Sequence, residues 1–169
     1  MQDRTAELTE LARRVDEKTF AKRVPGLFLI LSTASGEVLQ NIRSTVRVER
    51  TGSTPAPEPR SFVVVEVARR PSSPFEDLVS IGRTDANDLV LPHPTVSKLH
   101  ATFTQDEAGT WHLVDQGSTN GTWVDGVRLA AQKPHALRGD DMVAFGEFHA
   151  ALKNGRALWR FLELARRSA

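Results

Sequence analysis

The sequence predicts a mainly β protein, an antiparallel sandwich or barrel, with an amphipathic helix at each end of the chain. From Ser61 onward, short β-type runs follow one another at close spacing, and turn residues rather than helical segments separate them. Near the start of the chain, Leu8, Leu11 and Val15 recur at spacings of three and four among charged residues, which is typical of an amphipathic helix.

The predicted N-terminal extension covers residues 1–60 and begins with a helix over 3–24, for which Asp3 or Thr5 is the candidate N-cap. "LFLIL", residues 27–31, is strand-like and is a candidate first strand of the β-domain, which would leave the segment after it as an insertion. That segment divides into a strand-like part, 38–50, and a linker rich in Pro, Ser, Thr and Gly, 51–60.

The predicted β-domain covers residues 61–153, and a C-terminal helix covers 154–169. Asp125-Gly126 predicts a type I′ hairpin turn, because both residue types tolerate the positive φ angles that this turn requires. Leu158, Phe161, Leu162 and Ala165 fall on one face of the predicted final helix. The strand-like runs are "FVVVEVA", "LVSIG", "DLVL", "LHATFT", "TWHLVD", "TWV", "VRL", "MVAFG" and "FHAAL".

Composition narrows the possible functions. The 169-residue chain has a net charge of +1, yet residues 61–153 hold eight Lys/Arg against twelve Asp/Glu, a net of −4. A nucleic-acid-binding domain usually has a basic surplus, so we expect no nucleic acid partner. No cysteine is present, which excludes disulfides and favours a cytoplasmic setting. The longest apolar run has five residues, so we expect no membrane span.

Three predicted loops contain the polar groups that suit a bound phosphate. One carries Arg83, the second is "TVSKLH" with Ser97 and Lys98, and the third is "GSTNGT" with Thr119 and Asn120. An Arg guanidinium can donate two parallel hydrogen bonds to phosphate oxygens, Lys adds a point charge, and hydroxyl and glycine N–H groups donate to the remaining positions. If these loops meet at one end of a sandwich, they form a site for a phosphate group.

Four motifs in this order make the sequence resemble the forkhead-associated (FHA) domain family: "SIGRTDANDLVL", "TVSKLHA", "DQGSTNGTWVDG" and "LRGDDMVAFG". The likeness covers residues 61–152 and includes the family pattern of Gly-Arg, then Ser-x-x-His, then Asn-Gly. The resemblance implies a β-sandwich of about eleven strands in two sheets, which binds phosphothreonine in extended peptides through loops at one end.

Residue by residue, the resemblance implies that Arg83 and Ser97 bind the phosphate, that Lys98 and Thr119 support them, and that Asn120 binds the peptide main chain. It also implies structural roles for three residues: Gly82 and Gly121 permit tight backbone paths, and His100 hydrogen-bonds within the binding loop. None of these residues is expected to be catalytic.

Two positions depart from the family pattern. Lys98 stands where Arg is frequent, and because Lys lacks the guanidinium fork, the phosphate affinity is expected to be lower. His93, flanked by two prolines, stands where Asp is frequent, and we expect its side chain to be exposed.

The same residues also have ordinary structural interpretations. Arg83 by itself would more often form a surface salt bridge with Asp85 or Asp88, and Ser97 by itself would be a turn residue. The acid pairs Asp106-Glu107 and Asp140-Asp141 are expected to be solvated turn residues. The five histidines have no metal-ligand spacing, so neither a metal nor another cofactor is expected: His93, His100, His112, His135 and His149.

Two functions therefore compete. In the first, the protein is a phosphothreonine-dependent adaptor in Ser/Thr kinase signalling, and its partner is a phosphothreonine-containing protein, a Ser/Thr kinase or a kinase substrate. In the second, it is a structural or assembly module whose loop end is degenerate or binds without phosphate. An enzyme is not expected, because no loop presents a nucleophile with a base at recognisable spacing.

Overall fold

The computed structural model describes residues 2–32 and 62–167, and these form two β-sheets with three helices packed against one of them. The helices are α1 (Thr5–Arg14), α2 (Glu17–Arg23) and α3 (Gly155–Arg167). The strands are β1 (Leu27–Ser32), β2 (Phe62–Glu66), β3 (Leu78–Gly82), β4 (Leu89–Val90), β5 (Ala101–Gln105), β6 (Trp111–Asp115), β7 (Thr122–Val124), β8 (Val127–Arg128), β9 (His135–Ala136), β10 (Asp140–Phe145) and β11 (Phe148–Asn154).

The strands confirm the predicted sandwich. One sheet has the order β2-β1-β11-β10-β7-β8, and the other has the order β4-β3-β5-β6-β9. All described pairings are antiparallel except β3 with β4, where Ile81 lies opposite Leu89 in parallel register. This one pairing departs from the antiparallel arrangement expected from the sequence. The short loop after β3 returns the chain to the side of β3, and β4 then runs parallel to it.

The apolar run of β1 is continuous because the strand is buried on both faces. Leu27, Leu29 and Leu31 face the other sheet and join the core between the two sheets. Phe28 and Ile30 face outward and join a second core beneath the helices. A strand covered on both faces lacks the alternation of apolar and polar residues that a strand with one solvated face shows. The candidate first strand is therefore an inner strand of the six-stranded sheet, between β2 and β11.

The helices cover only the β2-β1-β11 half of the outer face of that sheet. Leu8 of α1, Phe20 of α2 and Leu158 of α3 are fully buried there, and each contributes about 1.5–3 kcal/mol by leaving water. The Trp159 indole of α3 donates to the Val15 carbonyl at 3.0 Å, which joins the two ends of the chain.

The single helix predicted over residues 3–24 is two helices. Val15 is extended, and the Asp16 side chain accepts a hydrogen bond from the Thr19 backbone N–H at 2.9 Å as the N-cap of α2. An Asp side chain that caps a new helix competes with continuation of the previous one, which is why the chain breaks at this point.

Three further points connect the sequence analysis with the structure: one turn is confirmed, one strand was missed, and one segment is not described. The Asp125-Gly126 turn has φ angles of 49° and 79°, as a type I′ turn requires. Strand β9 was missed, because its two residues are both exposed and carry no pattern. The strand-like stretch 38–50 and the linker 51–60 lie outside the described residues.

Candidate functional site

The three loops predicted to form the site do meet, at one end of the sandwich, and Ser97 lies between the other two. The Arg83 backbone N–H donates to the Ser97 carbonyl at 2.9 Å. The Thr119 backbone N–H donates to the Ser97 hydroxyl oxygen at 3.1 Å. A hydroxyl has one donor as well as two acceptor positions, so Ser97 can still donate to a ligand while it holds Thr119.

His100 is fully buried and connects two of the loops through both of its ring nitrogens. The Ser97 N–H donates to Nδ1 at 3.0 Å, so Nδ1 is an acceptor and the ring proton is on Nε2, which donates to the Gly121 carbonyl at 3.0 Å. Burial lowers the pKa of His100 below its ordinary value, and the Gly121 hydrogen bond and the Asp115 charge only partly oppose this effect. His100 is thus a neutral link inside the loop end.

The two predicted structural glycines occupy positions that exclude side chains. A Cβ on Gly82 would overlap the Lys98 carbonyl oxygen, a backbone atom that cannot rotate away. Gly121 has a φ of 85°, where L-residues are strained, and a Cβ there would lie 2.5 Å from the Arg128 Nε. Gly82 thus lets a neighbouring backbone segment approach closely, and Gly121 permits a left-handed backbone conformation beneath the loops.

Asp115 holds the third loop and was missed as a site residue. Its carboxylate, 3% exposed, accepts from the N–H groups of Gly117 and Ser118 at 2.9 and 3.1 Å, and from the hydroxyls of Ser118 and Thr122 at 2.6 and 2.5 Å. Burial raises the pKa of Asp115, but the hydrogen bonds, led by those of Ser118 and Thr122, lower it below its ordinary value. The signal in the sequence is an Asp with Gly two residues later and Ser three residues later, which is typical of an Asx-turn.

The loop that carries Arg83 is held from below by residues that the sequence did not single out. Asn87 Nδ2 donates to the Lys98 carbonyl at 2.6 Å and to the Thr84 carbonyl at 3.0 Å. The Arg70 guanidinium donates to the carbonyls of Asp85 and Ala86, and the latter bond is 2.6 Å long. The contacts with the Lys98 carbonyl and with Arg70 join residues 11 to 16 positions apart, so sequence periodicity could not reveal them.

Three of the side chains predicted to face a ligand are exposed and unpaired within the described residues. Arg83, Lys98 and Thr119 are exposed, and no hydrogen bond or ion pair of their side chains occurs within residues 2–32 and 62–167. The surface salt bridge considered for Arg83 is absent from the described part of the chain. Asp88 is instead buried and accepts from the backbone N–H and hydroxyl of Ser80, at 2.8 Å each.

Asn120 lies beside this cationic surface and is joined to the β10–β11 turn. Its Nδ2 donates to the Thr95 carbonyl at 2.8 Å, and the Thr95 hydroxyl oxygen accepts from the Glu147 N–H at 3.0 Å. Within the described residues, the Asn120 Oδ1 and its second N–H have no partner, which leaves one acceptor and one donor for a peptide main chain.

Two expectations near the site are wrong. His93 is not fully exposed: it is half-buried, its Nδ1 lies 2.7 Å from the Thr95 hydroxyl, and its ring packs edge-on against Phe148 at 6.4 Å. Asp141 is not a solvated turn residue: it is 1% exposed and accepts from the backbone N–H groups of Arg138 and Gly139 at 2.8 and 2.9 Å. The partners of Asp141 lie in the turn just before it, and the His93 ring is covered by Phe148 of β11.

The described residues contain no group of three or more His, Asp or Glu side chains that could hold a metal ion. None of the three helices combines the length and apolar content needed to cross a bilayer.

The loop end thus defines a class of protein, a β-sandwich module with exposed cations and hydroxyls on preformed loops. The family model of the FHA domain matches residues 79–146. The oxoglutarate dehydrogenase inhibitor of Corynebacterium glutamicum is 30% identical over 110 residues, which cover 63% of this chain and 74% of that protein. This chain therefore belongs to the FHA domain family, a family of phosphothreonine-peptide-binding modules.

Two further proteins resemble part or most of this chain. An ABC transporter ATP-binding/permease protein of Mycobacterium tuberculosis is 36% identical over 77 residues, which cover 46% of this chain but 8% of the transporter. The solution structure of the FHA domain of an Arabidopsis thaliana hypothetical protein aligns with a TM-score of 0.50 at 16% identity, and the alignment covers 78% of this chain and 86% of that domain. The transporter shares one segment with this chain, and the plant structure shares the fold.

Proposed function

We propose that this chain is a phosphothreonine-dependent adaptor that binds a phosphorylated partner protein in Ser/Thr kinase signalling, in the cytoplasm. The observation that carries the proposal is the contrast, at the loop end, between the exposed side chains and the buried hydrogen bonds beneath them. Two exposed cations that have no ion pair within the described residues, Arg83 and Lys98, stand on loops whose backbone is held by buried hydrogen bonds. Such cations repel one another unless an anion lies between them, and a phosphate dianion supplies that charge only after a kinase has acted.

Each residue has a specific part in the proposal. Arg83 donates a bidentate pair of hydrogen bonds to the phosphate, and the Ser97 hydroxyl donates a third. Lys98 and Thr119 add a charge and a hydroxyl at the edge of the site. Asn120 uses its remaining acceptor and donor on the main chain beside the phosphothreonine, so that the peptide lies extended across the loops.

The neutrality of His100 supports this arrangement. With its proton on Nε2, the ring accepts the Ser97 N–H and donates to the Gly121 carbonyl, which aligns the second and third loops before any ligand arrives. Preformed loops lose little conformational entropy on binding, and a short peptide provides little surface to offset such a loss. The corynebacterial relative is named as an enzyme inhibitor, a role that a binding module can fill without catalytic groups.

The direct test is fluorescence polarisation with a degenerate phosphothreonine peptide library, its unphosphorylated counterpart and its phosphoserine counterpart. We expect micromolar binding to the phosphothreonine library alone, and a loss of at least about 100-fold in Arg83→Ala, because a charge-assisted bidentate contact contributes roughly 3 kcal/mol. Arg156→Ala is the matched control, since it removes an exposed arginine from α3, away from the loops.

A folded protein that binds none of the three libraries, or that binds them equally, would contradict the proposal. The function would then be that of a structural or assembly module with a phosphate-independent loop face. Equal losses in Arg83→Ala and Arg156→Ala would indicate nonspecific attraction to charge, which salt would screen in both variants alike.

A further inference from the structure

The helices leave half of the outer face of the six-stranded sheet uncovered. One row of side chains crosses this face, because Val64 lies opposite Ile30, Ile30 opposite Ala151, and Ala151 opposite Met142. Val64 and Ile30 are buried beneath the helices, but Met142 is 53% exposed. The sheet face thus changes along a single row from a covered core to an open apolar surface.

That open surface contains a groove of about 350 Å³ that extends to the loop end. Apolar residues of β7 and β10 line it: Trp123, Met142, Val143 and Ala144. At one end it reaches Asn120, the residue proposed to hold the main chain of the bound peptide. The groove is therefore continuous with the proposed phosphopeptide site. Its lining residues are Asn120, Trp123, Gly126, Met142, Val143, Ala144, Gly146, Glu147 and His149.

The charges beside the groove differ from those beside Arg83. Glu147 is the one carboxylate in the lining, it is exposed, and its side chain has no ion pair within the described part of the chain. Two other carboxylates on this side of the sheet form ion pairs: Asp125, in the β7–β8 turn, pairs with Arg138, and Asp140 of β10 pairs with Lys153. Arg128 lies over the Trp123 ring at 5.9 Å and does not line the groove.

We propose that the groove binds a second part of the phosphorylated partner segment, an aliphatic or methionine side chain accompanied by a basic residue. The proposal rests on the proposed function, because it extends the same bound segment past Asn120. Arg83 and Lys98 stand on the loops that would hold the phosphate, and Glu147 lies beside Asn120, because both Asn120 and Glu147 hydrogen-bond to Thr95. The complementary segment therefore carries its anion at Arg83 and its cation at Glu147, next to Asn120. The aliphatic side chain lies against Trp123 and Met142.

A second copy of this chain fits the groove less well. A stable dimer interface buries about 800 Å² on each partner around an apolar centre. The apolar surface here is limited to a few side chains and ends at polar residues, Asn120 on one side and Glu147 on another. A single extended segment matches both the size and the charge of the groove.

The test compares the peptide sequences that the wild type and its variants prefer. It includes a minimal peptide whose binding does not depend on the groove. Phosphothreonine peptides of about ten residues, degenerate on both sides, are selected on the wild type and on Met142→Glu, Glu147→Lys and Val127→Glu. Val127→Glu is the matched control, because Val127 is 64% exposed on the same sheet but does not line the groove. A minimal phosphothreonine peptide with one alanine on each side reports on the phosphate site alone.

We expect the wild type to enrich an aliphatic residue and a basic residue on the same side of the phosphothreonine. Met142→Glu should weaken the selected peptide about 10-fold, the effect of losing the burial of one aliphatic side chain, and should leave the minimal peptide unchanged. Glu147→Lys should exchange the basic preference for an acidic one. Val127→Glu should behave like the wild type.

Two results would overturn the inference and leave the proposed function standing: a wild type that binds phosphothreonine without the aliphatic and basic preference, or groove variants that select the wild-type sequences. A dimer that Met142→Glu dissociates in sedimentation velocity would assign the groove to a second copy instead. Absence of binding even to the minimal peptide is a failure of the proposed function, and the inference falls with it.

Discussion

The residues that support the loops and the residues that face solvent above them differ in almost every physical property. His100 and Asp115, below, are buried, hydrogen-bonded on every side available to them, and have shifted pKa values. Arg83, Lys98 and Thr119, above, are exposed, and their side chains make no hydrogen bond or ion pair within the described part of the chain. Lys98 is two residues from His100 and Thr119 is four residues from Asp115 along the chain, so their difference arises from the direction in which each side chain points.

This difference indicates how the loop end divides its work. The lower residues fix the backbone before a ligand arrives, and their hydrogen bonds contribute to the stability of the fold. The upper residues contribute nothing comparable to stability, so their properties can serve binding alone. We therefore expect substitutions in the two sets to have different effects, and three experiments measure those effects.

The largest expected effect is on the stability of a support variant. Asp115→Ala removes the acceptor of four hydrogen bonds, and the buried Thr122 hydroxyl loses its acceptor. We expect the free energy of unfolding, measured by urea denaturation, to fall by about 3 kcal/mol. Glu107→Ala, which removes an exposed carboxylate, is the control and should change it by less than about 0.5 kcal/mol. Similar values for the two variants would mean that the buried network contributes little.

An intermediate effect is expected on the pH dependence of stability. The pKa of His100 is lowered from 6.5, so the native state binds fewer protons than the unfolded state below that pH. The contribution of His100 is thus fully present above pH 6.5 and is lost as the pH falls from there through the folded pKa, with a slope of up to about 1.4 kcal/mol per unit.

Denaturation curves of the wild type and of His100→Gln between pH 5 and 8 measure this contribution as a difference. His135→Gln, at an exposed histidine, should keep the wild-type slope. An NMR titration of the His100 ring gives the same quantity without a variant. A ring that titrates at its ordinary value would show that the loop end is not closed around it.

The smallest expected effect concerns affinity and leaves stability alone. Lys98→Arg replaces a point charge with a guanidinium fork, and the bonds that Lys98 makes to Asn87 and Thr84 use its carbonyl oxygen, which the substitution retains. We expect phosphothreonine-peptide affinity to rise about 2- to 5-fold by fluorescence polarisation, because bidentate contacts to phosphate are stronger. The unfolding free energy should stay within about 0.5 kcal/mol. A loss of stability would place Lys98 among the support residues.

Much of the fold could be predicted from the sequence, because local chemistry determines it. The short apolar runs and the Asp125-Gly126 turn predict the strands and one hairpin, and the structure contains them. The break between α1 and α2 was missed, although Asp16 carries the signal for it. The parallel pairing of β4 could not be predicted, since strand direction depends on how the chain returns and not on the two residues that pair.

The candidate site likewise contains residues that the sequence predicts and contacts that it does not. Arg83, Ser97 and Asn120 could be singled out because they form a recognisable series of motifs. The contacts of Arg70 with the loop of Arg83, and that of His93 with Phe148, could not, because they depend on packing between segments. Asp115 could be predicted in part. The residues that follow it predict its turn, but its bond to Thr122 depends on where the next strand begins.

The sequence by itself determined which residue types stand on the three loops and where the strands lie, because turn chemistry and hydrophobic pattern act over a few residues. Only the tertiary structure decided which of those polar residues are buried as supports and which are left free. It also decided that three helices cover half of a sheet face and leave the groove beside Asn120 open. Burial and pairing depend on the residues that surround a group in space, and most of those residues come from distant parts of the chain.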